Sequence, residues 1–236
     1  MSATCEKTVR QLALENPAAT VVFEKLHIDY CCGGGRTLED ACRAAGVPVE
    51  RVIEALESAA TAPVEERDWT TEPLSELLAH IQSTHHAYTR EAIARIPALT
   101  AKVVGAHGAN HPELRRIQAV FQGLADELTT HLMKEEMVLF PYVARMEEAV
   151  LAGEPVLPPP FGTVANPVRM MEHEHDSAGD ALRELYTLSN GYTAPADGCI
   201  SYQTLFRAMA EFEADLHQHI HLENNVLFPR AIALEG

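Results

Sequence analysis

The stretch HLMKEEMVLFP at residues 131–141 returns as HIHLENNVLFP at residues 219–229. Each matched position is separated by 88 residues, and farther upstream His86 matches His175 at a shift of 89 residues. A histidine and a glutamate four positions apart lie one turn apart on the same face of an α-helix. The repeat therefore predicts two copies of a helical hairpin, each with one histidine on its first helix and an HxxxE pair on its second.

The residues around the repeat predict a bundle of four long helices. The connections GEPVLPPPFGTVANP and NGYTAPADG contain prolines and glycines that end helices, because proline lacks the N–H that continues the helix. Connections of this length suit an up-down-up-down bundle. We predict an all-α fold with bundle helices over residues 73–104, 111–149, 165–190 and 198–233, the first of them kinked at Pro97.

The first 60 residues have a different pattern. Short helical patterns at Thr8–Leu14 and Leu38–Ala44 flank the segment DYCCGGGRT, and a further helix opens at Pro48. Three consecutive glycines are unfavourable inside a helix, so this segment is predicted to be a loop or tight turn. The charged stretch TAPVEERDWTTEP is typical of a linker. The predicted organisation is a small helical N-terminal domain with a vicinal cysteine pair at 1–62, a linker at 63–72 and the four-helix bundle at 73–236.

Composition excludes several classes of partner. The chain has 236 residues and a formal net charge of −16 at pH 7, which repels nucleic acids and anionic membranes. The N-terminus MSATCEKTVRQLALENP lacks the basic start and apolar run of a secretory signal. No segment reaches the roughly 18–20 apolar residues of a membrane helix. We therefore expect a cytoplasmic protein whose five cysteines are reduced thiols.

Six residues of the repeat form a candidate ligand set for two metal ions. The two-fold arrangement gives each metal two histidines, with two glutamates available to bridge both. Imidazole and carboxylate together suit iron in a four-helix bundle better than a structural zinc. A single HxxxE is more often an exposed pair, but burying four imidazoles and two carboxylates without a cation is costly. The predicted ligands are His86, His131, Glu135, His175, His219 and Glu223.

The other residues of these helices are assigned structural roles. The repeat alignment selects His86 over its neighbour His85 as a ligand. His217 and His221 flank His219 at a spacing of two residues and are predicted to face outward. The acidic pair at 147–148 is predicted to be a solvated helix end. The predicted bundle core around the ligands consists of Leu128, Leu132, Val138, Leu139, Leu216, Ile220, Val226 and Leu227.

Cys31 and Cys32 are the second unusual feature. Adjacent cysteines seldom form structural disulfides, because closing the small ring strains the backbone. We expect the glycine-rich turn to leave both sulfurs accessible, with nearby backbone N–H groups lowering their pKa. We interpret the pair as redox-active or metal-handling thiols that bind iron transiently, exchange disulfides or react with nitric oxide. The alternative is two small buried residues without chemistry.

Four segments in combination resemble one known family. They are HIDYCCGGGRTLEDAC at 27–42, HLMKEEMVLFP at 131–141, MEHEHDSAG at 171–179 and HIHLENNVLFPRA at 219–231, and they are similar to the repair-of-iron-centres family. These di-iron proteins repair iron–sulfur clusters damaged by nitric oxide or oxidants. The resemblance implies a hemerythrin-like bundle with an oxo-bridged non-heme iron pair on the same six ligands, both glutamates bridging. It also implies that the cysteine pair of the N-terminal domain assists the repair.

One difference from the oxygen-carrying hemerythrins bears on function. Those proteins have an HxxxH pair on the third helix, which here would require a histidine at Met171 or Gly179. The sequence therefore has fewer histidine ligands, which disfavours simple oxygen carriage. An iron pair held mostly by oxygen and imidazole is expected to be labile enough for iron donation.

Three functions remain open at this point. The leading hypothesis is a repair protein that supplies iron to damaged iron–sulfur proteins with the help of the cysteines. The second is a di-iron reductase that converts nitric oxide or peroxide, and the third is a module that senses oxygen or iron. Ligand spacing does not separate them. The sequence also leaves open a homodimer in which the N-terminal domain docks on a second subunit.

Overall fold

The computed structural model describes residues 3–59 and 67–235, and the elements in these ranges are helices. Thr8 and Thr37 begin two of the N-terminal helices as N-caps, each accepting a hydrogen bond from the backbone N–H three residues later. An antiparallel β-bridge joins Thr8 and Thr37. The N-terminal helices are α1 (Ala3–Glu6), α2 (Val9–Glu15), α3 (Ala18–Lys25), α4 (Leu38–Ala45) and α5 (Val49–Ala59).

The four long helices of the bundle confirm the predicted all-α fold class. The first contains α6 (Leu74–His80) and α7 (Ala87–His107), and the second contains α8 (Glu113–Lys134) and α9 (Phe140–Ala152). The third is α10 (Ala165–Leu188), and the fourth contains α11 (Ile200–Leu222) and α12 (Phe228–Glu235). Helix α7 continues through Pro97, and the kink predicted there stays a prediction.

Irregular turns include three of the six predicted ligands, His86, Glu135 and Glu223, where regular helix was expected. Three of the described bundle helices contain a π-helical turn, at Ile81–His86, Glu135–Leu139 and Glu223–Leu227. In the second of these turns the Phe140 N–H donates to the Glu135 carbonyl, five residues back. Such turns are rare and concentrate at functional sites. The prolines at 141 and 229, which cannot donate a backbone hydrogen bond, follow two of these turns at the same repeat position.

The predicted ligands lie between two apolar clusters of the bundle. One cluster includes Leu128, Leu216 and Ile220, and the other includes Leu139 and Leu227. The prediction of core residues is confirmed for seven of the eight positions, all of them buried. It is wrong for Val138, which is 45% exposed, because only its repeat equivalent Val226 is covered by the N-terminal segment.

Two glutamates at matching repeat positions start the first and third bundle helices. Glu147 accepts hydrogen bonds from the N–H groups of Leu74 (2.6 Å) and Ser75 (2.8 Å), so its prediction as a solvated helix end is wrong. Glu235, 88 residues later, accepts from the Val164 N–H (2.9 Å) and from the Thr163 hydroxyl. Each carboxylate satisfies donors that a helix leaves free at its N-terminus.

The N-terminal segment packs on the fourth bundle helix of its own chain. Arg10 donates to the Asn225 side chain (2.6 Å) and to the Asn224 carbonyl (2.5 Å). The outward orientation predicted for His217 and His221 is wrong, because both face this segment and His221 is 5% exposed. The domain boundaries at 62 and 72 stay predictions, and the first of them falls in residues 60–66, outside the described ranges. Among the described residues, no helix is long and apolar enough to span a membrane.

Candidate metal centre

The bundle brings the six predicted ligands together in two overlapping groups. One group contains His86 and His219, whose Nε2 atoms are 3.1 Å apart, and the other contains His131 and His175, at 3.2 Å. We call these groups the His86–His219 half and the His131–His175 half. Both include the same two glutamates, Glu135 and Glu223. The histidines of each half come from different hairpins, so the two hairpins build each half jointly.

Each glutamate faces both halves. Glu135 Oε2 lies 3.4 Å from the Nε2 atoms of both His86 and His131. Glu223 divides its oxygens, with Oε1 3.0 Å from His219 Nε2 and Oε2 3.2 Å from His175 Nε2. Carboxylates placed between two pairs of imidazoles are suited to bridging two metal ions.

The protonation of these groups indicates that the site needs a cation. Glu135 is fully buried and neither of its carboxylate oxygens has a hydrogen-bond partner. Burial, together with the charge of Glu223, raises the pKa of Glu135. Burial disfavours protonated His86 and His175, but their contacts with the glutamates outweigh it and raise their pKa values to about 10 and about 9. A bound metal would replace those protons.

Hydrogen bonds at Nδ1 orient three of the four histidines. His86 Nδ1–H donates to Glu136 (2.7 Å), and His131 Nδ1–H donates to Glu174 (2.8 Å). An ionised carboxylate only accepts, so the proton of the neutral ring stays on Nδ1 and Nε2 is the nitrogen that can bind a metal. Partners of this kind fix the ring orientation of metal-binding histidines and raise their basicity.

In the His131–His175 half, His175 Nδ1–H donates to the Asn224 side-chain oxygen (2.7 Å). In the neutral rings the two Nε2 lone pairs of this half face each other across 3.2 Å, an arrangement that a proton or a metal ion between them stabilises. The residues fit a non-heme iron site, with nitrogen and oxygen donors, no thiolate, and fixed imidazole orientations.

His219 differs from the other three histidines. Its Nδ1 is buried and has no hydrogen-bond partner. The repeat position that supplies Glu174 to His131 is occupied here by His85, whose Nδ1 pairs with Asp215 at 3.0 Å. The His85 ring lies parallel to the His219 ring at 5.8 Å. His85 is thus buried beside the centre without joining it.

Sequence reasoning missed Glu136, Glu174 and Asn224, although each adjoins a predicted ligand. Glu136 and Asn224 occupy the same repeat position, one residue after each shared glutamate, and each orients the histidine of the preceding helix. The signal was therefore present in the repeat. In each HxxxE copy, the residue directly after the glutamate has a side-chain oxygen that accepts a hydrogen bond from a clustered histidine.

The cysteine pair lies at the edge of the His131–His175 half. Cys32 Sγ is 3.6 Å from the His175 carbonyl oxygen, and the Sγ atoms of Cys31 and Cys32 are 3.8 Å apart. The expectation that both sulfurs are accessible is wrong for Cys31, which is 5% exposed. Asp29 accepts the backbone N–H groups of Cys32 (3.0 Å) and Gly33 (2.9 Å), so those donors are not free to stabilise a thiolate.

The two thiols are nonetheless unequal. A hydrogen bond from Cys31 lowers the pKa of Cys32, while the same contact and burial raise the pKa of Cys31. Of the two thiols, Cys32 is thus the one that ionises more readily. Asp29 joins the two cysteines in a third group of potential metal ligands.

Comparisons with known proteins agree with this geometry. A family profile described as "Hemerythrin HHE cation binding domain" matches residues 77–231, and one described as "Domain of Unknown function (DUF542)" matches residues 5–60. The protein named iron-sulfur cluster repair protein YtfE of Musicola paradisiaca (strain Ech703) is 34% identical over 231 residues, which cover 98% of each chain. The protein of the same name from Escherichia coli O157:H7 is 34% identical over 230 residues, again 98% of each chain.

The relationship thus extends over both the N-terminal segment and the bundle. The hemerythrin profile alone spans all six clustered residues, and the second profile includes both cysteines. The chain belongs to the hemerythrin-domain family of iron–sulfur cluster repair proteins.

Proposed function

We propose that this protein repairs iron–sulfur clusters damaged by nitrosative or oxidative stress, and that it does so by supplying iron from a di-iron centre. Its partners are then damaged iron–sulfur proteins. The relatives that share nearly its whole length are named for iron–sulfur cluster repair. The chemistry of the buried site and its position beside the cysteine pair support the same function.

Four histidines and two glutamates would hold the two irons. His86 and His219 would bind one, His131 and His175 the other, and Glu135 and Glu223 would bridge them. Bound there, the iron pair would supply redox chemistry and a reservoir of iron. The protein offers each iron two nitrogens and two shared carboxylates, fewer than the six donors that fill an octahedral site. Such a site can exchange ligands without unfolding the bundle.

The observation that carries the proposal of iron donation is the contact between Cys32 Sγ and the backbone carbonyl oxygen of His175. A thiol with a lowered pKa is a good ligand for iron and a good nucleophile. Cys31 and Cys32 would accept iron as it leaves the His131–His175 half. Asp29 is within reach as a third ligand in this handover.

Iron transfer tests the proposal directly. Protein loaded with ⁵⁷Fe is incubated anaerobically with an apo-cluster protein, sulfide and a reductant, and cluster formation is followed by absorption and Mössbauer spectroscopy. We expect ⁵⁷Fe in the restored cluster, and slower transfer from the Cys31→Ala/Cys32→Ala protein. Restoration of the cluster while the ⁵⁷Fe stays in the donor would contradict iron donation.

The same preparations discriminate the reductase hypothesis. A di-iron reductase acting alone consumes nitric oxide at a rate that does not depend on Cys31 or Cys32. A nitric oxide electrode measures this rate for the reduced wild-type and double-alanine proteins. Equal, catalytic consumption by both proteins without iron transfer would favour the reductase.

A further inference from the structure

We propose that Asn224 is a positioning residue, and that through it the retention of iron in the His131–His175 half depends on the position of the cysteine loop relative to the bundle. The cysteine loop is residues 29–36, between α3 and α4. The inference rests on the proposed di-iron centre and adds a means of regulating it. It assigns Asn224 no contact with iron, only contacts with a ligand and with the loop.

The side chain of Asn224 connects the loop to the ligand. Its oxygen accepts from His175 Nδ1–H at 2.7 Å, and its amide nitrogen donates to the Cys31 carbonyl at 3.3 Å. Its own backbone carbonyl accepts from Arg10 at 2.5 Å. Asn224 is 9% exposed, so water does not readily replace these partners. A displacement of Cys31 therefore changes how the His175 ring is held.

The neighbouring contacts fix the loop against this amide. Asn225 donates to the Tyr30 carbonyl at 3.0 Å and accepts from Arg10 at 2.6 Å. At Gly34 a Cβ atom would crowd its neighbours, since it would lie 3.0 Å from the Tyr30 carbonyl oxygen and 3.1 Å from the Asn225 side-chain oxygen, so the loop would have to shift by a few tenths of an ångström. At Gly35 a Cβ atom would meet nothing within 4 Å. The two glycines thus offer a perturbing substitution and a matched control.

The other half has no such connection. At the equivalent position, Glu136 orients His86 and is held by Arg90 at 2.6 Å, a residue of the bundle itself. Within residues 3–59 and 67–235, the His131–His175 half alone has a histidine whose hydrogen-bond partner also contacts the N-terminal segment. This is also the half beside Cys32, so iron retention and the receiving thiol respond to the same loop.

The first experiment measures the rate of iron loss to an excess of a ferrous chelator from the full-length, iron-loaded protein. Asn224→Ala is expected to lose its first iron about tenfold faster or more, the range found when such partners are removed. Asn224→Asp keeps an acceptor for His175, as Glu136 does for His86, and should stay within about threefold of wild type. Mössbauer spectra of Asn224→Ala should show one of two iron environments altered. An unchanged rate in Asn224→Ala would overturn the proposal.

The second experiment tests the connection to the loop. Gly34→Ala should speed iron loss about threefold or more, and Gly35→Ala should not. Asn224→Asp lacks the donor to the Cys31 carbonyl, so in that background the two glycine variants should behave alike. A Gly34→Ala effect that persists unchanged in the Asn224→Asp protein would show that the loop acts by another route, and would overturn the coupling.

The outcomes separate this inference from the proposed function. A wild-type protein that binds about two irons but restores no cluster contradicts the repair function alone. Normal iron transfer, with iron loss insensitive to Asn224 and Gly34, contradicts the inference alone. A wild-type protein that binds no iron overturns both. Helicity measured by circular dichroism identifies any variant that fails to fold. Asn224→Asp and Gly35→Ala are the matched controls for Asn224→Ala and Gly34→Ala.

Discussion

In the His131–His175 half both imidazoles donate to an acceptor, Glu174 or Asn224, whereas in the His86–His219 half only His86 does. The Nε2 atoms of the two halves are nevertheless arranged alike, at separations of 3.2 and 3.1 Å. The helix-starting glutamates at 147 and 235 match as well. The two hairpins therefore agree in the ligands and in the helix ends, and differ in what lies directly behind the ligands.

The two hairpins differ where the N-terminal segment packs on the second of them. Met133 and Met137 of the first hairpin are 56% and 73% exposed, whereas their repeat equivalents His221 and Asn225 are 5% and 6% exposed. Among the described residues, the N-terminal segment forms its hydrogen bonds to the bundle with the second hairpin. Asn224 orients His175 and contacts the N-terminal segment. Its counterpart Glu136 orients His86 and contacts Arg90 of the bundle instead. Two-fold symmetry is thus kept at the six clustered residues and lost where the N-terminal segment packs on the bundle.

The largest effect is expected from the residues that the halves share. Glu135→Ala removes a carboxylate that faces both halves, so bound iron should fall from about two per chain to near zero. Elemental analysis of the purified protein measures this, with the exposed Glu148→Ala as the control. If Glu135→Ala retains one full iron, the two halves are more independent than the shared carboxylates indicate.

The metal affinity of both halves should depend strongly on pH. The pKa of His86 is raised to about 10 and that of His175 to about 9 in the metal-free protein, one histidine in each half. Metal binding near pH 7 must therefore displace about two histidine protons, and affinity should fall roughly 100-fold for each pH unit lowered. Titrations of metal into the apo-protein in buffers of different ionisation enthalpy count the protons. Release of no protons would mean that these histidines are already neutral in the apo-protein.

The same raised pKa values stabilise the metal-free fold through protonated histidines. That contribution is complete below the unfolded value of 6.5 and is lost as pH rises through about 9 to 10. The apo-protein should therefore lose stability in this alkaline range. The metal-loaded protein should not show the same loss, because metal has replaced the protons.

Removing one orienting carboxylate should weaken only its own half. Glu136→Gln affects His86 and Glu174→Gln affects His131, and each should lower the affinity for one metal by about tenfold. Stepwise titration of the apo-protein separates the two binding events. Glu184→Gln, at a surface ion pair with Arg116, is the control. Equal weakening of both steps by either variant would contradict the assignment of one carboxylate to each half.

The smallest effect is expected from making the halves alike. His85 stands where the other half has Glu174, so His85→Glu should offer His219 Nδ1 the acceptor it lacks. Asp215→Asn accompanies it, because His85 is the partner of Asp215 and two facing carboxylates would repel. The double variant should lose iron about threefold more slowly than Asp215→Asn alone. Faster loss would show that the stacking of His85 on His219 outweighs a hydrogen bond.

The sequence determined the four-helix bundle, the six clustered residues and the all-α fold, because a helix has a fixed period and a repeat fixes equivalent positions in two hairpins. It also contained the orienting residues, Glu136 and Asn224, at one repeat position. Those were missed because spacing along one helix does not say which side chain of another helix it meets.

Only the tertiary structure decided which histidines share a half, since His86 pairs with His219 of the other hairpin across the bundle axis. It alone placed the cysteine loop against His175, buried His221 under the N-terminal segment and left Val138 exposed. These are contacts between segments far apart in the chain. Their outcome depends on packing of whole surfaces, which no local period or motif encodes.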